Sequence, residues 1–357
     1  MNATQQVIDL DDAEGLLAAD REGLLRTASM AGAQVRAVAA ALDEGVLESL
    51  RADQPPRTLI WVAGRGTAER AGSLLAAAVG GSVAAPIVVA PDAPAWIGAL
   101  DVLILAGDDS GDPTLVSAAA TAVRRGARVV VVGPFEGPVR DATAGRAVVL
   151  APRLRVSDDF GLAHYLGAGL ATLNIVDPAF EVDLAALADE LDAEALRNSA
   201  GRDLFTNPAK NLAQRMSDHQ VVFAGDTSAT LALARHGAAM FLRVAHRPVA
   251  AVGLADALVA LRSGIGGPGA DHEAALFHDE QIDGPRSPRV RTFVLATDNV
   301  RPVVVARVAG LDEVDVIAAE DVPDVKVPVV SGHPEQQLAM LAVRLEMTAV
   351  YLRLVRG

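Results

Sequence analysis

Residues 58–79 read TLIWVAGRGTAERAGSLLAAAV, and this stretch decides the fold class. Six uninterrupted apolar or β-branched residues, Thr58 to Ala63, describe a strand buried on both faces. Gly64-Arg65-Gly66 breaks the run, and the alanine-rich segment to about Val79 has the periodicity of a helix. A strand, a glycine turn and a helix in that order form the opening of a parallel βαβ unit.

The pattern continues in both directions. Downstream, apolar runs at Ile87–Val89, Val102–Leu105, Val129–Val132 and Ala147–Leu150 alternate with helical segments, which predicts a parallel sheet covered on both faces. Upstream, residues 11–50 carry Leu16, Leu17, Leu24, Leu25, Val35, Val38 and Leu42 at helical spacing, predicting one or two helices before Pro55-Pro56. Helices are predicted near 160–176 and 183–198, and another opens at Asn207-Pro208-Ala209-Lys210. Strand Gln220 to Ala224 then enters Gly225-Asp226-Thr227-Ser228 and a further helix. Later strands are predicted at Val249–Val252, Val290–Leu295, Pro302–Ala306 and Val314–Ala318, and a long helix starts at Pro334. That helix is apolar on nearly every face, so it should be buried between domains or between subunits. A strand–turn–helix unit recurring after about 160 residues indicates a duplicated domain. The expected partition is an N-terminal helical segment (1–50), a first doubly wound domain (51–178) and a second with the terminal helix (179–357).

Composition limits the partners. The chain has 357 residues, 51% apolar and 21% charged, which excludes a largely disordered protein. A net charge of −14, with Lys210 and Lys326 the only lysines, argues against nucleic acid and anionic membranes. The absence of cysteine removes disulfides, thiolate nucleophiles and Cys-built zinc sites. The opening MNATQQVIDLDDAEG is too polar for a secretory signal, and no apolar run reaches the ~18 residues of a membrane span. A cytoplasmic location is the expectation.

In a doubly wound sheet, ligands meet the junctions between strand C-termini and helix N-termini, where free N–H groups and the helix dipole attract anions. Three loops qualify: 63–67, 107–114 and 225–228. The first lacks a dinucleotide fingerprint because Glu69 stands where a third glycine is needed, so no nicotinamide cofactor is expected, nor a metal. The second, GDDSGDPT, places Ser110-Gly111 between acids. Asp109 or Asp112 there serves as a helix cap in the simplest reading. Asn207-Pro208 likewise has a structural explanation, as an N-cap followed by proline in the first turn.

These motifs, in their order and spacing, resemble the sugar isomerase (SIS) domain. Strand, Ser-x-Ser-Gly-x-Thr, helix is that domain's phosphate loop, and Ser110-Gly111 keep its register. VAGRGTAERAG (62–72), Asn207-Pro208-Ala209-Lys210 and the ending AVYLRLVRG (349–357) resemble the double-SIS bifunctional phosphoglucose/phosphomannose isomerases, in their divergent actinobacterial, TobH-like branch. The resemblance implies two SIS domains, a sugar-phosphate ligand, a homodimer and aldose–ketose isomerisation by proton transfer. It implies a substrate site at Gly64, Gly66, Thr67, Ser110, Gly111 and Thr114, completed by Thr227, Ser228 and Arg235, with Arg235 the cation for an anionic group.

The implied catalytic groups are absent. Aligned on Arg235, the window ARHGAAMFLRVAHRP (234–248) puts Leu242 where the family's glutamate base belongs. ADALVAL (255–261) stands where its ring-opening histidine belongs, and Gly357 ends the chain before its lysine. In the phosphate loop Asp108 and Pro113 replace a serine and the threonine, and Ala68 replaces a serine of the first loop. Like charges about 4 Å apart repel by about 4 kcal/mol at an effective dielectric of about 20, so Asp108 opposes a phosphate. Asp271-His272-Glu273 and His278-Asp279-Glu280 lie in a Gly/Pro-rich insertion (262–289). His272 and Glu273 are the candidates for relocated acid and base, against a plain surface segment. Three readings stay open: a sugar-phosphate binder that has lost catalysis, an isomerase working through His272 and Glu273, and a regulatory or scaffold protein that binds no sugar.

Overall fold

A computed structural model describes residues 8–265, 289–319 and 333–356. The described chain divides into two compact units, one of Glu22–Ser199 with His333–Val343, the other of the remaining described residues.

In the first unit, strands β1 (Thr58–Ala63), β2 (Ile87–Ala90), β3 (Asp101–Ala106), β4 (Arg128–Val132) and β5 (Ala147–Leu150) form one sheet in the order β2-β1-β3-β4-β5. Every pairing is parallel, with Ala63 level with Ala106 at the carboxyl end. Alternate residues of the apolar runs serve the two faces. Ile60, Val62, Leu103 and Leu105 pack with the alanines of α5 (Pro113–Arg125) and with Val139 of α6 (Gly137–Thr143). Trp61 points the other way, towards α4 (Thr67–Val79) and α7 (Leu162–Val176). Its indole donates to the Ala68 carbonyl at 3.0 Å. A Cβ on Gly72 would sit 2.3 Å from that ring and one on Gly169 3.1 Å from it, so glycine is required where both helices close on the tryptophan. Burying a side chain of that size removes it from water at a gain of about 2–3 kcal/mol, which is lost if the helices are held apart.

Among the described residues, the N-terminal segment contains three α-helices where one or two were expected: α1 (Ala13–Ala19), α2 (Leu24–Ala28) and α3 (Ala31–Asp43). Within the first unit, α3 packs on α7 and on α8 (Leu184–Arg197). Arg36 of α3 clamps Asp189 and Asp192 of α8.

The second unit holds β6 (Gln220–Gly225), β7 (Ala250–Gly253), β8 (Val290–Leu295) and β9 (Val314–Ile317) in the order β7-β6-β8-β9, again all parallel. This repeats the order of β2-β1-β3-β4 strand for strand. Phe223 meets Phe241 of α10 (Ser228–Arg243) edge to face at 5.1 Å. The opposite face is covered by α11 (Leu254–Arg262) and α12 (Arg301–Val308), through Leu254, Leu258, Val304 and Val308.

Helix α12 stands where the sequence predicts a strand, Pro302–Ala306. The run of β-branched residues was misleading. Only Val304 and Val308, four residues apart, are buried, while Val303 and Val305 are exposed. A parallel β8–β9 pair needs a crossover between its strands, and proline is tolerated in the first helical turn, so tertiary demand overrides strand propensity. The closing helix, α13 (Pro334–Arg356), is buried over nearly its whole length, as its apolar faces require.

Candidate functional site

In each sheet the first strand lies between its successors, so the connections from the two central strands leave towards opposite faces and open a crevice at their carboxyl ends. In the first unit that crevice is bounded by loops 64–66 and 107–112. The Gly64 N–H donates to the Ala106 carbonyl at 2.7 Å, and Gly107 donates to Val132 at 3.1 Å. A Cβ on Gly107 would lie 2.9 Å from Leu115 and 3.5 Å from the Gly64 Cα, so the loops approach backbone to backbone. Gly66, at φ 93°, starts α4 without a side-chain cap. Of the nine predicted binding residues, Gly64, Gly66, Thr67, Ser110, Gly111 and Thr114 belong to this crevice.

Carboxylates occupy its helix N-termini. Asp112 caps α5 by accepting from the Thr114 N–H at 2.8 Å, and Asp109 accepts from Gly111 at 2.8 Å. The Ser110 carbonyl accepts from Val139, tying the loop to α6. At α4 the Thr67 N–H donates to Asp158 Oδ2 at 3.3 Å, and Tyr165 donates its hydroxyl to Asp158 Oδ1 at 3.2 Å. Burial pushes the Tyr165 phenol well above its ordinary range, and the negative charges of Asp158 and Asp108 reinforce it, so it remains a donor. The Thr67 side chain is fully buried, and its Oγ1 accepts from Arg70 at 3.0 Å. Thr67 therefore offers the crevice its backbone and not its hydroxyl. Nothing local in the sequence marks Asp158 as a crevice residue, because 91 positions separate it from Thr67.

The other three predicted residues, Thr227, Ser228 and Arg235, lie in the second unit. Thr227 caps α10 through a reciprocal capping box, in which Thr230 N–H donates to its hydroxyl at 3.1 Å and its own N–H donates to Thr230 Oγ1 at 3.0 Å. Ser228 begins the helix and is exposed, as is Arg235. Asp226, at the end of β6, is paired with Arg307 of α12. The loop beyond β8 completes this second crevice: Thr297 donates to Asn299 Oδ1 at 2.6 Å, and its carbonyl accepts the Arg301 N–H. Nothing local in the sequence marks this loop, which has no glycine and precedes a valine-rich segment with the look of a strand.

His272 and Glu273 lie outside the described residues. Lys210 is buried, its ammonium donating to the carbonyls of Ala200 and Arg202 at 2.7 and 2.8 Å, with Asn207 capping its helix, α9 (Pro208–Met216). His236 is equally buried, with Nε2 2.9 Å from Glu346. Both are structural in this arrangement. Among the described residues no group of three His, Cys, Asp or Glu side chains could hold a metal ion. A depression of about 650 Å³ among Ala39, Leu42, Asn174, Val182 and His333 is at neither crevice.

No protein-family model matches the chain. No curated protein matches it. Solved structures do, over almost its full length. The tagatose-6-phosphate ketose/aldose isomerase of Escherichia coli is 14% identical, with a TM-score of 0.62 over 99% of this chain and 96% of its own. The C-terminal domain of glucosamine-fructose-6-phosphate aminotransferase from Francisella tularensis gives 0.58 at 10% identity, over 96% of both chains. A glucose-6-phosphate isomerase-like protein from Thermus thermophilus gives 0.52 at 19% identity, over 98% and 94%. The fold is thus that of the SIS-domain phosphosugar isomerases.

Proposed function

We propose that the protein binds a sugar phosphate and does not perform the usual aldose–ketose isomerisation. The observation that carries this reading is the first crevice, where Gly64 and Gly107 bring two loops together beside Ser110, Gly111 and Thr114 within a phosphosugar-isomerase fold. Loss of catalysis follows from the groups standing at the implied base and histidine positions. Leu242 is an exposed alkyl side chain that cannot take a proton, and 255–261 carries no histidine to open a sugar ring. The nine residues named from sequence remain our candidates for the ligand, divided between the two crevices. The repeated strand order supports reading 51–178 and 179–357 as two copies of one module behind the helical segment 1–50, in the manner of the TobH-like branch. A cytoplasmic homodimer is part of the same proposal.

A second reading, a regulatory or scaffold protein that binds no sugar, is favoured by the carboxylates already seated on α4 and α5. Thermal unfolding with millimolar glucose, mannose and fructose 6-phosphates separates the two. Ligand at 100 times its Kd adds about 2.7 kcal/mol and should raise the midpoint by several degrees. A shift with one sugar phosphate, without turnover in a coupled isomerase assay, is the expected result. No shift with any of the three would leave the scaffold reading, and turnover would restore an active isomerase.

A further inference from the structure

Helix α4 begins on Gly66, which brings no side chain to cap it, so an acceptor for the Thr67 amide must come from elsewhere. It comes from Asp158. This contact differs in kind from the Asp112 cap of α5, which is made within its own helix start. Asp158 is delivered by a separate segment that tertiary contacts hold in place. Phe160 is buried, its carbonyl accepts from Gln34 Nε2 at 3.0 Å, and the Gly161 N–H donates to the Asp158 carbonyl at 3.0 Å. Tyr165 then fixes the second carboxylate oxygen.

We propose that Asp158 is a built-in competitor for anions at the first crevice and sets how weakly that crevice takes a phosphate. The inference rests on the sugar-phosphate reading above. A phosphate oxygen approaching α4 would seek the amide that Asp158 already holds, and would meet a like charge there, with Asp108 adding to the repulsion. Binding therefore requires the carboxylate to be displaced from Thr67, and Tyr165 resists that displacement.

The test compares full-length wild type, D158N and Y165F, titrated calorimetrically with inorganic phosphate and with glucose 6-phosphate at constant ionic strength. D158N keeps the side-chain shape and an acceptor oxygen while removing the charge, and should bind phosphate at least about tenfold tighter than wild type. Y165F keeps the charge but removes the donor that fixes it, and should gain about threefold. Unchanged phosphate affinity in both variants overturns the proposal, and Y165F decides alone if D158N does not fold. Glucose 6-phosphate separates this inference from the reading beneath it. Wild type that binds the sugar phosphate, with no gain in either variant, sinks the role of Asp158 and keeps the function. A gain for phosphate without any response to sugar phosphates keeps Asp158 and sinks the function. No binding by any of the three proteins overturns both.

Discussion

The two sheets share a strand order, yet their crevices are finished with different chemistry. In the first, α4 follows a glycine and receives a carboxylate from a distant segment. In the second, α10 satisfies its own terminus with two threonine hydroxyls, and the acid at the strand end is neutralised by Arg307. A duplicated scaffold fixes where helix termini point. It does not fix what meets them, and that assignment falls to a few side chains.

The sharpest way to break this comparison is to add one methyl group at the glycine closest to each crevice. A Cβ on Gly225 would lie 2.3 Å from the Leu231 backbone nitrogen, whereas one on Gly64 would find nothing nearer than 3.4 Å. G225A should therefore lose about 3 kcal/mol, since backbone cannot step aside, and G64A less than about 1 kcal/mol. Urea unfolding of both variants checks this, and equal losses would mean that the second crevice is no more tightly closed than the first.

Protonation gives a contrast of similar size. His164 of α7 is buried, its Nε2 has no hydrogen-bond partner among the described residues, and burial pushes its pKa down to about 4. His236 in the second unit faces Glu346 instead. With the folded value depressed, His164 in the unfolded chain takes up its proton first as pH falls. Its contribution is complete above about pH 6.5 and is lost progressively towards pH 4, to a total of up to about 3 kcal/mol. H164L should flatten the wild-type loss of stability between pH 7 and pH 5, as read by urea unfolding at both pH values. An unaltered slope would assign the acid sensitivity elsewhere.

The smallest effect concerns the caps. T227A removes the acceptor for the Thr230 N–H, one of the two bonds of the capping box, and D112A removes the cap of α5, so each should cost about 1 kcal/mol. A much larger loss at one site, measured by the same unfolding assay, would show that its loop organises more than a helix end.

Much of the fold was readable along the chain because buried parallel strands declare themselves as unbroken apolar runs. Thr58–Ala63 and Val290–Leu295 have the bounds anticipated for them. Arg301–Val308 shows the limit of that logic, since a valine-rich crossover helix and a short strand look alike until the sheet's connectivity is known. The site was legible only in part. Glycine turns at 64–66 and 107–111 advertise themselves locally, but the meeting of Thr67 with Asp158 and of Asp226 with Arg307 depends on tertiary structure. Nor could spacing reveal that Thr227 would spend its hydroxyl on its own helix.

The make-up of the two compact units bears on how the chain is made. Residues 22–199 are synthesised as one continuous block, but the segment 333–343 that completes this unit follows the whole of the second sheet. The other unit combines α1, the stretch after Ala200 and the part of α13 from Arg344 onward. Helix α1 therefore cannot pack within its own unit until residues beyond Ala200 have been made, and neither unit is complete before α13. Deleting α13 would remove a piece of both units at once, so this one helix should matter to stability out of proportion to its length.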